Sequence, residues 1–561
     1  MFLTILGFIL LLLPLLCFKF HKAIGFILVT QLSIGLFTQL FGIFTYPIVF
    51  GLNLLVAIWL FKKIRFKVNW TMVAIGTILL FQFYAVHYDY TGEVILPKQQ
   101  LTEVESLTYS FPYASDEWYA ASIAKHAQNT HKLPFNQPLR EDISFVNLQI
   151  GFHSLISEIF LLLNVDIVQH YGLLVMLLST CIGLLVFSLL RLCKLRESAA
   201  VITALLIPYI ASSGNLFTLW NAIPATAGII AMLLSFCFTV EEDEKKFLLF
   251  SFLSLLLYPP LVVFLLPCAF FGLRKESRGK FLGIVGISGL LVFILALITA
   301  GSFQRAFSFI WEKIYYISYT PVGITQFAPW HVLPIVSLVF LLFSYRDIKK
   351  HPWLIAVSLI GVGYWISYQF SMYFFVISQP RVIFVAALLL IITSGFGVHR
   401  LSEFWKSYDK KVIAIILLVF AVLSFSYTED DRYKNFLLIE EDVRAYMPAP
   451  TAGAYLHESD LNLFGNLKQG TFLSTPWKST VIAITTGHTP ASIKAGTFGY
   501  YQNAYADYLQ YDCYERERRL VLGDIDYVYG REETCNFFTL LNISDEGFHL
   551  YAFTPNDTLD D

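Results

Sequence analysis

Apolar runs close to the ~20 residues that span a bilayer recur along most of this chain, and they constrain its fold more than any motif does. Of 561 residues, 56% are apolar and only 14% charged, far below the roughly 25% charged share of a soluble domain. In lipid every backbone polar group must be satisfied within the chain, so such runs fold as helices. They predict a mainly α, polytopic membrane bundle of about fourteen spans. The spans fall near 2–18, 23–43, 45–61, 70–87, 166–190, 197–213, 222–240, 247–258, 260–273, 281–300, 330–345, 352–370, 382–398 and 412–427. Tyr258-Pro259-Pro260 removes backbone donors between two of them, so that pair can also be read as one broken helix.

Charge sets the orientation. If the spans alternate, one set of loops carries most of the basic residues: Lys62, Lys63, Arg65 and Lys67; Arg191, Lys194 and Arg196; Arg274, Lys275, Arg278 and Lys280; Arg400, Lys406, Lys410 and Lys411. The opposite loops hold few, among them Lys98, Lys125, Arg140, Arg305 and Arg381. Basic loops face the cytoplasm. The polar loop 87–147 and everything after 427 are therefore expected outside, in a multi-pass protein of a prokaryotic plasma membrane. The first span has the apolar core of a signal peptide without its basic flank or cleavage site. A net charge of -2 argues against nucleic-acid partners.

Residues 1–427 are read as the transmembrane part and 428–561 as an external soluble α/β domain. The latter carries strand-like runs at Thr480-Val481-Ile482-Ala483-Ile484 and Ile525-Asp526-Tyr527-Val528-Tyr529, with helical patterns around 498–520. Cys513 and Cys535 lie in this external part, the compartment where a disulfide persists; the alternative is two free thiols. Asn542-Ile543-Ser544 and Asn556-Asp557-Thr558 fit the glycosylation sequon, a weak signal at tripeptide length.

The loop 87–147 carries Ser115-Asp116-Glu117-Trp118-Tyr119. Adjacent carboxylates beside a membrane are costly without a task. Asp116 can cap a helix from Glu117 to about Asn129, lying at the interface, which Leu133-Pro134-Phe135-Asn136-Gln137-Pro138 ends. A second apolar run, 147–163, contains Gly151, Phe152, His153 and Glu158. Crossing the membrane there would upset the sidedness, so it is read as interfacial or re-entrant.

The acidic pair in the first large external loop, the helix, the Leu-Pro-Phe-Asn-Gln-Pro turn, the Gly151-Phe152-His153 segment and a late external arginine together resemble the GT-C superfamily of integral-membrane glycosyltransferases. Protein O-mannosyltransferases and aminoarabinose transferases share that plan. The four spans ahead of the acidic loop exceed the single one of the simplest members.

The resemblance implies transfer of a sugar from a polyprenyl- or dolichyl-phosphate donor to a lipid, glycan or protein acceptor. Phosphate leaves the sugar without protonation, whereas the acceptor hydroxyl must lose a proton as it attacks, which a carboxylate can take. Asp116 fits that general base, with inversion at C1, and Glu117 is its catalytic partner. A divalent cation, Mg or Mn, is the one cofactor the pair could hold. Arg381, in Ser378-Gln379-Pro380-Arg381, fits the cation that pairs with the lipid phosphate. Lys125, His153 and Gln379 join it as candidates for holding substrate. Plainer readings stand beside these: Asp116 as a cap alone, Lys125 and His126 as solvated helix residues, His153 as a packing residue, Arg381 as a snorkelling residue. The alternative functions are a transporter or flippase, which would need ionisable or broken helices near the midplane, and a polymerase or ligase of lipid-linked saccharides.

Overall fold

The computed structural model describes residues 2–64, 69–88, 90–95, 101–107, 111–112, 115–133, 135–144, 147–209, 221–300, 302–317, 339, 345–370, 373–375, 379–426, 456–493 and 504–555. Helices dominate up to residue 426. They are α1 (Phe2–Leu12), α2 (Pro14–Cys17), α3 (Phe20–Leu40), α4 (Tyr46–Phe61), α5 (Trp70–Tyr88), α6 (Ser115–Thr130), α7 (Ile150–Leu163), α8 (Tyr171–Leu192) and α9 (Glu197–Leu205). Then follow α10 (Pro224–Val240), α11 (Glu244–Leu257), α12 (Val262–Gly272), α13 (Lys275–Ala300), α14 (Phe303–Ile314), α15 (Tyr345–Ile348), α16 (Pro352–Phe370), α17 (Gln379–Leu401) and α18 (Asp409–Ser426).

A helix occupies each expected span apart from 330–345, most of which lies outside the described residues. Among the described residues, four segments are long and apolar enough to cross a membrane: Phe20–Leu40, Tyr171–Leu192, Lys275–Ile298 and Phe384–Val422. The other apolar helices are shorter, so fourteen full crossings do not follow from helix length. The outward faces are those of a lipid-facing bundle. Helix α13 exposes Leu282, Ile287, Leu290 and Ile298, and α4 exposes Leu55, Ile58, Trp59 and Phe61. Contiguous apolar surface of this kind is not left in water. The chain breaks at Tyr258-Pro259-Pro260, where α11 ends, a 3-10 turn follows and α12 begins.

Inside the bundle, close approach replaces a hydrophobic drive. A Cβ on Gly35 of α3 would stand 2.8 Å from the Ser154 carbonyl oxygen, so only glycine lets α7 lie this near. Around α7 the packing is complete: its residues are buried on every side, Leu161 apart. The helix is enclosed by α1, α3, α4, α6 and α11. At about 1.5 Å per residue its 14 residues are also too short for a ~30 Å hydrocarbon layer. Its Glu158 is buried with Asn53 of α4, whose Nδ2 donates to Oε1 at 2.8 Å.

Within the polar loop, β1 (Tyr90–Ile95) pairs antiparallel with β2 (Leu101–Leu107), and β3 (Asn136–Gln137) with β4 (Arg140–Ser144). Further on, β5 (Tyr315–Ile317) pairs with β6 (Tyr373–Phe375).

From residue 456 the chain builds a five-stranded sheet with helices. The elements are α19 (Glu458–Gly465), β7 (Thr471–Leu473), α20 (Pro476–Thr486), β8 (Thr489–Pro490), α21 (Ala504–Tyr508), α22 (Cys513–Leu522), β9 (Tyr527–Gly530), β10 (Phe538–Ile543) and β11 (His549–Phe553). The order is β10-β11-β9-β7-β8. β7 runs parallel to both β8 and β9, and the β11 edges are antiparallel. Asn542 of the first sequon lies in β10; Asn556 is outside the described residues. Cys513 and Cys535 are joined in a disulfide that ties the start of α22 to the segment before β10.

The β-branched run 480–484 is helix, not strand: it forms the middle of α20. Pro476 suits the first helical turn, and Gly487 at φ 80° closes the helix in the left-handed conformation. A short apolar run cannot tell a strand from a buried helix by periodicity. Helix α20 packs against α6, joining the C-terminal unit to the acidic helix.

Candidate functional site

Helix α6 starts at Ser115, so Asp116 and Glu117 both lie in its first turn. Asp116 is thus inside the helix and not its cap. The unsatisfied N–H groups and macrodipole of a helix start favour carboxylates in either position. Beyond them, Trp118, Ala120, Ala121, Ala124 and Ala127 are fully buried. Small side chains at this spacing let α6 press onto α7. Ser157 of α7 donates its hydroxyl to the Ala124 carbonyl at 3.1 Å, and Gln128 Nε2 donates to the Ser157 carbonyl at 3.0 Å. Trp118 stacks on Phe111 with ring centroids 6.2 Å apart. One face of the helix is therefore buried against α7.

The two carboxylates part company. Successive helical residues diverge by about 100°. Glu117 turns inward and is 0% exposed. Its Oε1 accepts the backbone N–H of Ala222 at 2.7 Å, just ahead of α10. Tyr171, the first residue of α8, donates its phenol to the carbonyl of the same Ala222 at 2.6 Å. Thr226 donates to the Asn221 carbonyl at 2.6 Å. The starts of α6, α8 and α10 are thereby held together around the two peptide units that flank the Ala222 Cα. Asp116 stays half-buried, within electrostatic reach of the Tyr171 hydroxyl.

A cation shared by the pair does not fit this divergence, because the Glu117 carboxylate is committed inward. Among the described residues no group of three or more His, Cys, Asp or Glu is placed to hold a metal ion.

His153 is buried on α7, with Nδ1 2.7 Å from Asn147 Oδ1. An amide oxygen only accepts, so Nδ1 carries the hydrogen. Lys125, two turns along α6, pairs with Asp166 at 3.3 Å. Asp166 also accepts the N–H groups of Val168 at 2.9 Å and Gln169 at 3.0 Å, shaping the turn into α8. Gln379 and Arg381 belong to the first turn of α17, and their side chains lie outside the described residues. The structure thus gathers Asp116, Glu117, Lys125 and His153 on two packed helices. Sequence reasoning missed Tyr171, Asn221 and Ala222. A backbone N–H 105 residues from its carboxylate leaves no side-chain pattern to read.

No family model matches the sequence, and no curated protein sequence matches it. Solved structures similar to the chain include the oligosaccharyltransferase of Archaeoglobus fulgidus in the apo form, at 11% identity and TM-score 0.49, over 88% of this chain and 75% of that one. They also include the archaeal oligosaccharyltransferase AglB from the same organism, in complex with an inhibitory peptide and a dolichol-phosphate. It is 10% identical with a TM-score of 0.48, over 82% of this chain and 69% of that one. A likeness of this degree assigns neither family nor activity. What the fold and site themselves define is a polytopic helical bundle with one half-buried and one fully buried carboxylate in the first turn of a helix packed along one face.

Proposed function

We propose that this chain is an integral-membrane glycosyltransferase that moves a sugar from a polyprenyl-phosphate-linked donor to an acceptor hydroxyl on the external face, with Asp116 as general base. One observation carries the reading: the acid pair is divided. Glu117 is anchored on the Ala222 N–H and Asp116 is left accessible. A base must be both held in place and open to its substrate. In this reading Glu117 is a positioning residue that fixes the first turn of α6. The helix start favours the ionised carboxylate that a base requires. Arg381 supplies the positive charge for the leaving phosphate, where a bidentate fork suits the phosphate oxygens. Residues 1–427 hold the donor within the membrane, and 428–561 guide the acceptor.

The test compares lipid-linked and surface glycans by mass spectrometry in cells with the protein, without it, and with Arg381→Lys. Loss of one glycosylated species, with its lipid-linked precursor retained, is the expected result. Arg381→Lys keeps the charge and loses the fork, so it should lower the product without lowering expression. Unchanged glycans in cells lacking the protein would sink the proposal.

A further inference from the structure

A cavity of about 420 Å³ lies between the second half of α6, the β3–β4 turn and the end of α20, within the ~300–1,000 Å³ range of small-molecule sites. We infer that it is a binding site for a neutral saccharide. On the proposed transferase function, it holds the acceptor glycan a short way from Asp116.

The walls specify a ligand rich in hydroxyl donors. One wall is the last turn of α20, with Thr485 and Thr486, where a helix leaves carbonyl oxygens without intrahelical partners. Thr486 donates its own hydroxyl hydrogen to the Ile482 carbonyl at 2.7 Å, and Thr485 to the Val481 carbonyl at 2.9 Å. Their oxygens therefore face a ligand as acceptors. An anion would meet this oxygen-lined wall unfavourably. The opposite wall carries Lys125 and the exposed Asn129. Lys125 is balanced by Asp166 at 3.3 Å, so the cavity is not built around an excess positive charge, yet the ammonium still supplies donors.

The nearby sheet edge disfavours a peptide as occupant. β8 is the edge strand. Thr489 and Ala491 turn their N–H groups inward, to the Gly470 carbonyl at 3.1 Å and the Phe472 carbonyl at 2.8 Å. The residue between them, Pro490, has no N–H to offer an incoming strand. Strand addition needs those donors. A saccharide does not, and its hydroxyls both donate and accept.

The position suits an extended acceptor. From Asp116 to Lys125 the helix axis advances roughly 13 Å at about 1.5 Å per residue, so the reacting end of a short glycan can lie at Asp116 while its far end occupies the cavity.

The experiment is saturation-transfer NMR on the purified full-length chain. The probes are neutral disaccharides of hexose and N-acetylhexosamine, a uronic-acid disaccharide, and a neutral threonine-containing peptide. Neutral disaccharides should bind wild type and Asp116→Asn alike. Asn129→Trp, which fills the cavity, and Thr486→Val, which removes an acceptor, should each weaken them by about tenfold with unchanged thermal unfolding. Preference for the peptide or the acidic sugar, or equal disaccharide binding in Asn129→Trp, would overturn the inference. The two proposals fail separately: wild-type transfer by Asp116→Asn removes the base and leaves the cavity's binding untouched, whereas absent saccharide binding leaves the transfer chemistry standing.

Discussion

Glu117 accepts the backbone N–H of Ala222 at 2.7 Å across 105 residues of sequence, with no exposure to solvent. A buried amide without an acceptor costs about 1–3 kcal/mol. Glu117→Ala should therefore lower the stability of the detergent-solubilised chain by about that amount and blunt transfer, whereas Glu117→Gln keeps an acceptor oxygen and should restore both. Thermal unfolding and the pH–rate profile separate the roles. If Glu117→Gln lost the acid limb of the profile, the residue would be sharing in proton transfer and not merely positioning Asp116.

Sidedness is testable on residues the structure exposes. Asn129 on α6 and Leu522 on α22 should share one side of the membrane, with Lys410 at the start of α18 on the other. Each is replaced by cysteine and treated in intact cells with a membrane-impermeant maleimide. Labelling at 129 and 522 but not at 410 is expected. Labelling at 129 without 522 would break the orientation inferred from basic loops.

The helices of the bundle were legible because lipid demands uninterrupted apolar runs, and the break at Tyr258-Pro259-Pro260 because proline has no N–H. What sequence could not show was enclosure. The run holding Gly151, Phe152 and His153 carries Ser154, Ser157 and Glu158 as well, and all of them are buried because α3, α4 and α6 surround the helix. Thr480 to Ile484 has strand composition, and only the flanking Pro476 and Gly487 mark it as helix. At the site, Asp116 and Glu117 stood out as a pair, yet their division depends on Ala222 and Tyr171, which adjoin them only in the fold.

Lys478 is 0% exposed between two carboxylates, with Nζ 2.5 Å from Asp460 Oδ2 and also bonded to Glu546. Burial pushes the Glu546 carboxyl up, and Lys478 pulls it back down. A carboxyl raised in the folded state takes up protons on folding. Its contribution is present below the ordinary carboxylate value and lost as pH rises through the raised one. Lys478→Met strips the cation and should cost about 3–5 kcal/mol at neutral pH. The deficit should shrink on acidification, as the carboxylates can then neutralise. Protease resistance of residues 456–555 in the full-length chain, measured at neutral and mildly acid pH, is the readout. A pH-independent deficit would assign Lys478 to packing over the Phe548 ring.

Cys513 and Cys535 close a loop of 22 residues, and removing such a bridge typically costs about 2–4 kcal/mol. Alkylation of unreduced, denatured protein should modify Cys17, Cys181, Cys193, Cys237 and Cys268 and spare the other two. Cys513→Ser should make the C-terminal unit more readily cleaved by protease while leaving the helical bundle intact. Modification of all seven cysteines would remove the bridge.

Asp116→Asn is the decisive substitution for the chemistry. Asparagine keeps the size of the side chain and an oxygen acceptor, so the first turn of α6, its burial of Trp118 and the Glu117–Ala222 bond should persist. What disappears is basicity. Removal of a general base typically slows a reaction by on the order of 10² to 10⁴. Transfer by the purified variant should fall on that scale, while thermal unfolding and binding of the polyprenyl-phosphate sugar remain close to wild type. A rate loss accompanied by equal loss of donor binding would instead make Asp116 part of the donor site. Transfer at the wild-type rate would mean that the proton leaves by another route and that the accessible carboxylate of α6 is not the base.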